Sequence, residues 1–516
     1  MFKLIKDNHS TIYFIALIVM LISLPLSRFG LSVAQFTLLG NWLLEGDFKR
    51  KYKDIIRNKP ALVLISLYIL HVIGLIYTSD FEYAFKDLRI KLPILALPVI
   101  LATTKPLNNK KFDILLLFYI GAVIAGTFIS FGVLLTKDIS DIREISPFIS
   151  HIRLSLNVCI AIFFSGYFAF FKFKNKIKLQ FGFLITIFWL ITFLFIIESV
   201  TGVFILLFTC PFLVLYSLLK IKNIWQKVTF ILILIIIPLF ILMFLNNTVR
   251  SYRTPYKNDI NNLEVFTSHG NPYQHDTLEL PVENGSYVGL YVCDIELRDA
   301  WNKRSNMNYD GKDKKNQDIK YTLIRYLNSK DLRKDADGVN QLNEKDISNI
   351  ENGIANIHYT TKISINSRIY KILWEYEIMN RGGNPGGHSL IQRFEFWKAS
   401  IGIIKNNFWF GIGTGDIDKA FKVQYEKINS ILAPEWRHRA HNQFLAIFIT
   451  FGFLGFLWFL FTLIYPPLKL KMLFDYRYFV FLITIILSML VEDTLETQMG
   501  VTLFAFMNSF LLFVRK

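Results

Sequence analysis

Long apolar runs without a charged side chain are the feature that most constrains the fold of this chain. One of them, LLLFYIGAVIAGTFISFGVLL, covers positions 115–135. A helix of roughly 17 to 25 apolar residues crosses the hydrocarbon core of a bilayer and satisfies its own backbone hydrogen bonds there. Because 53% of the chain is hydrophobic and only 19% is charged, it carries more apolar surface than a water-soluble protein tolerates. We therefore predict an all-α polytopic membrane protein.

The pattern predicts about twelve transmembrane helices, each long enough to cross the bilayer. They lie near 11–27, 29–45, 60–78, 90–104, 112–136, 153–171, 180–197, 202–219, 228–246, 442–465, 478–492 and 499–514. The chain starts with the basic MFKLIK, but no small-residue cleavage site follows the first apolar segment. That segment is therefore predicted to be a retained helix and not a signal peptide.

Lysine and arginine are distributed unevenly between alternate loops. The formal net charge is +17. One set of short loops and the two termini hold about 23 basic residues and the other set about 7, and basic residues stay on the cytoplasmic side. Both termini are therefore predicted to be cytoplasmic, and the polar stretch at 247–441 to face outward, into the periplasm of a Gram-negative cell. Since this charge sets orientation, no nucleic-acid partner is expected.

This long outward loop separates an N-terminal bundle at 1–246, of about nine helices, from C-terminal transmembrane helices at 442–516. Within the loop, residues 254–360 are rich in Asn, Asp and Lys, which predicts a small polar insert of mixed α/β structure. Residues 361–441 instead place apolar side chains at helical spacing with basic residues between them. This pattern is typical of amphipathic helices on a membrane or on a helical bundle.

The three cysteines indicate neither a disulfide framework nor a metal site. Cys159 and Cys210 lie inside apolar segments, and Cys293 stands alone in the polar insert. Their spacing matches no metal-binding pattern, so redox chemistry is not predicted.

Arginines gather on the predicted outward face. Arg250 and Arg253 follow the ninth predicted span, Arg393 starts an amphipathic helix, and Arg437 and Arg439 precede the tenth span. A guanidinium pairs bidentately with phosphate oxygens and cannot deprotonate, so converging arginines suit a pyrophosphate held without metal. Anchoring to anionic lipid headgroups is the alternative interpretation.

One histidine stands at the entry to a predicted span. His441 lies in RAHNQFLAIF, and an imidazole that titrates near neutrality is costly to bury. The position fits a general base, or an interfacial histidine satisfied by Asn442 or water. Glu492, Asp493 and Glu496 lie at the outer end of another span, where they either end the helix or orient a histidine or arginine nearby.

Two glycine-rich stretches do not match nucleotide-binding loops. GGNPGGHS, which ends in a histidine and a serine, lacks the Lys and Ser or Thr that complete a phosphate-cradling loop, and GIGTGD at 411–416 follows no strand of a βαβ unit. The second stretch is predicted to be a flexible turn between helices.

Residues 393–455 carry a resemblance to a known family. RFEFWKASIGIIKNNFWFGIGTGD, followed by RAHNQFLAIFITFGFLG, resembles the signature region of the O-antigen ligase and polymerase superfamily. The shared features are an arginine before a Trp-containing helix, a Gly-x-Gly turn, and His-Asn opening a span with glycine behind it. GGNPGGHSLIQRFEFWKA and EDTLETQMGVTLFAFMNS resemble versions from Bacteroidetes-type bacteria. The span plan and the large outward loop also agree with this family, whose members resemble GT-C-type glycosyltransferases.

The resemblance implies a metal-independent, inverting membrane glycosyltransferase that uses no cofactor. Its donor is a glycan on undecaprenyl pyrophosphate, presented at the outer leaflet of the bacterial inner membrane among membrane lipids. A ligase transfers this glycan to a sugar hydroxyl of lipid A-core or another saccharide acceptor, whereas a polymerase transfers it to another lipid-linked repeat unit. The function that we expect is that of an O-antigen ligase in lipopolysaccharide biosynthesis.

The resemblance also implies site residues. His441 matches the family histidine and Arg393 the arginine before the Trp-containing helix, so both are expected to be catalytic. Arg250 or Arg253 matches the arginine after the ninth span, and Arg153, in SHIRLSLN, resembles another outward arginine. These arginines and Arg393 are expected to bind the pyrophosphate.

Three further residues, Asn442, Arg439 and Glu492, are expected to support this site. The sequence departs from the family at 198–204, where ESVTGVF stands in place of a Ser-Arg-Gly found in many members. The role of that loop is therefore open.

Other functions remain open at this point. Within the enzyme class these are a polymerase of lipid-linked repeat units and a protein O-glycosyltransferase. Outside it, a polysaccharide transporter or lipid flippase is the main alternative, because many twelve-span proteins are transporters. The charged residues cluster in an outward loop, and no matched pair of broken helices is evident in two halves, which disfavours a transporter. The insert at 254–360 is open to an added role in binding.

Overall fold

A computed structural model describes residues 2–137, 142–218, 223–253, 262–278, 280–360, 365–380 and 389–515. In this part the chain is mostly helical. The α-helices are α1 Phe2–Leu26, α2 Arg28–Glu45, α3 Phe48–Arg57, α4 Lys59–Ile73, α5 Phe81–Thr103, α6 Asn109–Thr136, α7 His151–Tyr167, α8 Ile177–Ile196, α9 Val200–Leu218, α10 Ile224–Arg253, α11 Asp294–Arg304, α12 Ile319–Ser329, α13 Ala336–Asn340, α14 Glu344–Glu351, α15 Ile365–Asn380, α16 Ser389–Asn406, α17 Ile417–Lys427, α18 Gln443–Lys469, α19 Tyr476–Val491 and α20 Gln498–Phe513. The two strands are β1 Val282–Glu283 and β2 Ser286–Tyr287.

Apolar helices of membrane-spanning length confirm that the chain is a multi-pass, all-α membrane protein. Seven spans in the described ranges are long and apolar enough by length and composition: Asn8–Leu26, Lys59–Tyr77, Asn109–Thr136, His151–Lys172, Ile177–Ile196, Ile224–Arg253 and Gln443–Lys469. Three shorter apolar helices are Val200–Tyr216, Tyr476–Val491 and Gln498–Phe513. The predicted spans near 29–45 and 90–104 are helical, as α2 and α5, but are not among these. The total of twelve stays a prediction.

Polar capping residues define where many of these helices begin. Asn58, Asp80, Asn108, Asn442 and Thr497 each accept a hydrogen bond from a backbone N–H in the first turn of the following helix. Such a cap satisfies a donor that the helix itself leaves unpaired and contributes about 1 kcal/mol. The capped helices therefore begin at defined residues, and the loops before them end there.

The chain divides into two compact units. The first comprises residues 1–227, 395–430 and 437–516. In it α1 packs against α2 and α6, α5 against α4 and α20, and α18 against α4. Its hydrophobic core includes the fully buried Leu17, Phe164 and Phe506.

The second unit comprises residues 228–394 and 431–436. The polar insert forms a small core of its own around Trp301 and Leu323, both fully buried. Antiparallel β1 and β2 pair Val282 with Tyr287, and α11 to α14 supply most of the remaining structure. Helices predominate in the described residues of the insert, beside one pair of two-residue strands, and its identity as a separate mixed α/β domain stays a prediction.

A glycine contact fixes a kink in α18. Gly452 has a φ of +65°, and a Cβ atom there would lie 2.3 Å from the backbone carbon of Trp409. At this kink the Phe453 N–H donates to the carbonyl oxygen of Phe408 at 2.7 Å. Gly411 approaches the same kink, because a Cβ atom on it would lie 2.5 Å from the Thr450 backbone. Only glycine allows such close backbone approach.

The GIGTGD stretch connects α16 to α17, as predicted, and packs closely against two spanning helices. The Gly413 N–H donates to the carbonyl oxygen of Thr450 at 2.9 Å. The Thr414 hydroxyl donates to the carbonyl oxygen of His71 at 2.7 Å. Asp416 accepts hydrogen bonds at 2.6 Å from both the backbone N–H and the hydroxyl of Ser79. The turn therefore ties α4 to α18.

Candidate functional site

His441 lies in a strained backbone position directly before α18. Its φ of +45° is in the left-handed region, which residues other than glycine rarely adopt and which often marks functional sites. The His441 N–H donates to Oδ2 of Asp493 at 3.2 Å. Asn442 caps α18, accepting from the Leu445 N–H at 3.0 Å, and its own amide donates to the carbonyl oxygen of Leu490 at 2.9 Å. The conformation of His441 is thus held by groups on both sides of it.

A carboxylate faces the imidazole. Nδ1 of His441 lies 3.7 Å from Oε2 of Glu492, which is buried and directly follows α19. The ring of Phe396 lies 5.5 Å from the imidazole ring, centroid to centroid. Since a negative charge at this distance favours the protonated imidazole, Glu492 stabilises the cation that forms when His441 takes up a proton.

Asp493 lies beneath the same loop. Burial of its carboxyl group raises the pKa of that group to about 6, with His441 opposing the rise and Glu496 and Glu492 adding to it. Its Oδ1 atom is buried without a hydrogen-bond partner among the described residues. Asp493 therefore titrates in the range where histidines do.

Arg153 lies at the start of α7, and its guanidinium is buried beside the same carboxylates. It is 8% exposed, and Glu492 and Asp493 interact with it electrostatically. Nη2 donates to the Thr497 hydroxyl at 3.0 Å, whereas Nη1 is buried with no hydrogen-bond partner in the described part of the chain. Gly500 leaves room for this side chain, because a Cβ atom there would lie 3.1 Å from Cζ of Arg153. Arg153 therefore has hydrogen-bonding capacity left.

A network of buried charges supports the loop that carries His441. Lys91, 1% exposed, pairs with Asp87 and with Oε2 of Glu496, the latter at 3.0 Å. Arg439 approaches the same carboxylate with Nη1 at 3.5 Å. Gln443 donates to Oε1 of Glu496 at 3.0 Å. Burial by itself would raise the pKa of Glu496. The positive charges of Lys91 and Arg439 outweigh this effect and hold the pKa below its usual range.

The structure thus brings five of the predicted residues into the first unit, around one loop: His441, Asn442, Arg439, Glu492 and Arg153. The roles of these five residues in catalysis and binding stay predictions.

The other three predicted residues are in the second unit. Arg253, at the end of α10, pairs with Oε1 of Glu377 at 2.8 Å and lies over the ring of Tyr376. Arg250 is exposed one turn earlier. Arg393 lies in α16, and the four-residue spacing places it on the same helix face as Trp397. Their participation in a site with His441 stays a prediction.

Several residues of the network were not expected from the sequence. Asp87 and Lys91 are spaced i, i+4 within DLRIKL, beside an apolar run. Charged residues at such a position are often functional, and the spacing allows them to pair in a helix. The spacing is visible in the sequence, whereas the contact of Lys91 with Glu496, 405 positions away, is not.

Residues 354–460 match a family described as O-Antigen ligase. No significant match was found among curated proteins. The matched segment contains α16, the GIGTGD turn, His441 and the start of α18, which are the elements that carry the sequence motifs. The match confirms, over this part of the chain, the resemblance to the O-antigen ligase superfamily.

Proposed function

We propose that the protein transfers a glycan from undecaprenyl pyrophosphate to a sugar hydroxyl of lipid A-core at the periplasmic face of the inner membrane. The family match supports activity of the O-antigen ligase or polymerase type. The observation that carries the proposal is the pairing of His441 with Glu492 in a strained loop at the entry to a spanning helix. A positioned imidazole backed by a carboxylate is suited to removing a proton from a hydroxyl group.

In this mechanism His441 is the general base. Nδ1 faces Glu492, so the other ring nitrogen, Nε2, accepts the proton of the acceptor hydroxyl. The hydroxyl oxygen forms a bond to the anomeric carbon of the donor, and the bond between that carbon and the phosphate oxygen breaks. The pyrophosphate leaves with the electron pair. A positioned base accelerates such a step by about 100 to 10,000-fold.

The alternative is that His441 binds the pyrophosphate as an imidazolium. The contact with Glu492 favours the base, because a carboxylate beside Nδ1 neutralises an imidazolium and leaves it little net charge for a pyrophosphate. The pH dependence of transfer separates the two roles. A base requires activity to rise as His441 loses its proton, and a binding imidazolium requires activity to fall.

Arginines would stabilise the charge that develops on the leaving pyrophosphate. Arg153 retains an unpaired, buried N–H group in the described structure, and Arg393 and Arg250 or Arg253 are proposed to join it on the donor. Loss of one well-placed electrostatic donor typically reduces the rate by about 100 to 1,000-fold. The positive charge of the guanidinium groups could stabilise the developing negative charge without a metal ion. That the reaction is metal-independent stays a prediction.

The glycan chains of a deletion strain test which acceptor the protein uses. In a deletion strain, loss of a ligase leaves long glycan chains unattached to lipid A-core, whereas loss of a polymerase leaves single repeat units attached. Attachment of long chains at the wild-type level, with a defect only in protein glycosylation, would identify a protein O-glycosyltransferase and contradict the ligase.

The reaction is tested with purified protein, a lipid-linked glycan and lipid A-core. A ligase forms glycan-bearing lipid A-core without another protein, and a polymerase extends the lipid-linked glycan in the absence of lipid A-core. Movement of the lipid-linked glycan across proteoliposomes with no transfer to any acceptor would instead support a transporter.

A further inference from the structure

An open cleft of about 590 Å³ lies at the start of α5 in the first unit. Six residues of the first turns of this helix and its cap line it: Asp80, Glu82, Tyr83, Phe85, Lys86 and Arg89. The chemistry assigned to His441 uses none of these residues. The cleft therefore requires an explanation of its own.

The cleft borders the loop that carries His441. Cζ of Arg439 lies 5.0 Å from the centre of the Tyr83 ring, and Arg439 precedes His441 by two residues. The same guanidinium approaches Glu496. One arginine, two residues before the proposed base, thus contacts the Tyr83 wall of the cleft.

Two exposed cations, Lys86 and Arg89, line the cleft together with the carboxylates of Asp80 and Glu82. Asp80 pairs with Lys419, whose Nζ lies 3.3 Å from Oδ2. At the neighbouring start of α17, Asp418 pairs with Arg439 at 3.0 Å. Both of these carboxylates thus have a cationic partner outside the cleft lining. Asp418 also interacts electrostatically with Lys86, and Lys86 and Arg89 are both exposed. Glu82 is a single carboxylate beside these two cations.

Aromatic rings complete the lining. Tyr83 is half-buried and Phe85 is 60% exposed. Such rings offer flat apolar surface, with a hydroxyl group on Tyr83, to a ligand that is partly apolar and partly polar. A sugar ring has that character, and exposed lysine and arginine bind phosphate or carboxylate groups.

We propose that this cleft binds an anionic saccharide of the acceptor, with Lys86 and Arg89 holding its phosphate or carboxylate group and Tyr83 packing against the sugar. This inference rests on the proposed function for the identity of the saccharide as an acceptor. It adds a specificity determinant: the protein selects acceptors that carry a negative charge near the reacting hydroxyl.

Equilibrium binding tests the cleft without requiring turnover. The probe is a phosphorylated core oligosaccharide freed of its lipid, and the protein is the full chain in nanodiscs of phosphatidylcholine. The wild type should bind it at least about tenfold more tightly than the dephosphorylated probe, as expected for charge-assisted contacts. The double variant Lys86→Ala/Arg89→Ala should lose that preference.

A second double variant controls for net charge. Lys422→Ala/Lys427→Ala removes two exposed lysines from α17 and should keep the preference for the phosphorylated probe. Equal binding of both probes by the wild type, or an unchanged preference after Lys86→Ala/Arg89→Ala, would overturn the proposal. Displacement of the probe by phosphatidylglycerol nanodiscs in the wild type, but not in the cleft variant, would assign the cleft to lipid headgroups and would also overturn it.

Transfer kinetics then separate this proposal from the proposed function. The cleft variant should raise KM for the phosphorylated acceptor by about tenfold and leave KM for the donor and kcat close to wild type. Absence of transfer by the wild type would contradict the ligase while leaving the binding result to decide the cleft. Transfer with wild-type KM in the cleft variant would contradict the cleft alone.

Discussion

Nδ1 of His441 lies 3.7 Å from Oε2 of Glu492, and the histidine has a left-handed backbone conformation. The two residues come from separate segments, the loop before α18 and the residue after α19. A hydrogen bond from the His441 N–H to Asp493, the residue next to Glu492, joins the same segments. The side chain and the backbone of the histidine are therefore positioned together, as the role of a general base requires.

Replacing Glu492 with glutamine should lower the activity near neutral pH and alter its pH dependence. Loss of the adjacent negative charge favours the neutral imidazole, so the acidic limb of the kcat/KM profile should move down by about one pH unit or more. The weaker base should reduce the rate on the plateau by up to about tenfold. Glu426→Gln, an exposed change in α17, is the control, and a Glu492→Gln profile that overlies the wild type would rule out this role.

Replacing Asp493 with asparagine should stabilise the protein above about pH 6. The carboxyl pKa is raised from 3.8 to about 6 by burial, so the folded state favours the protonated form. This stabilisation is complete below about pH 4 and is lost as the pH rises through 6, by about 3 kcal/mol for a shift of two pKa units. An asparagine cannot ionise and still accepts the His441 N–H.

Thermal unfolding in detergent checks this pH dependence. Asp493→Asn should melt at a higher temperature than wild type at pH 7.5, and the two should converge towards pH 4. A difference of the same size at both pH values would show that the ionisation of Asp493 is not its cause.

Replacing Lys91 with methionine should destabilise the protein. The change leaves Asp87 and Glu496 buried without their shared cation, and breaking a buried ion pair from one side costs about 3 to 5 kcal/mol. Lys86→Met, an exposed change on the same helix, should leave the melting temperature nearly unaltered. Equal melting temperatures for both variants would argue against the network.

Neutralising the partners should recover part of this loss. The triple variant Lys91→Met/Asp87→Asn/Glu496→Gln no longer buries unpaired carboxylates, so it should melt above Lys91→Met. If it melts lower, the buried charge is not what destabilises the single variant.

Replacing Gly452 with alanine should reduce the yield of folded protein. The added Cβ atom would lie 2.3 Å from the Trp409 backbone, at a positive φ. Both the clash and the strained conformation oppose folding. Gly121→Ala in α6 is a matched control, because a Cβ atom there meets nothing within 4 Å. A monodisperse Gly452→Ala protein with the wild-type melting temperature would contradict the packing at the kink.

The membrane-spanning character of the chain can be predicted from local sequence. The arrangement of its charged residues cannot, because it depends on tertiary packing. Apolar runs and capping residues mark helices such as α6 and α18 because each depends on a contiguous segment. The meeting of Lys91 with Glu496 depends instead on how distant helices pack. No periodicity along the chain specifies that contact.

In the candidate site, too, some features can be predicted from the sequence and others depend on tertiary packing. His441 is recognisable from its motif and its place before a span, and the Glu492 carboxylate from its place after one. Their mutual distance, the left-handed φ of His441 and the raised pKa of Asp493 arise from tertiary structure. The glycines of GIGTGD were expected to give a flexible turn; their close approach to the kink at Gly452 gives them a packing role.

The rate of glycan transfer by His441→Ala, compared with His438→Ala, tests the central claim most directly. His438 lies 6.2 Å from His441 between ring centroids, and burial together with His441 lowers its pKa, so it provides a neighbouring imidazole for comparison. With purified protein, lipid-linked glycan and lipid A-core, His441→Ala should reduce kcat by about 100 to 10,000-fold, and His438→Ala by only a few-fold. Wild-type kcat in a folded His441→Ala protein would contradict the assignment of the base.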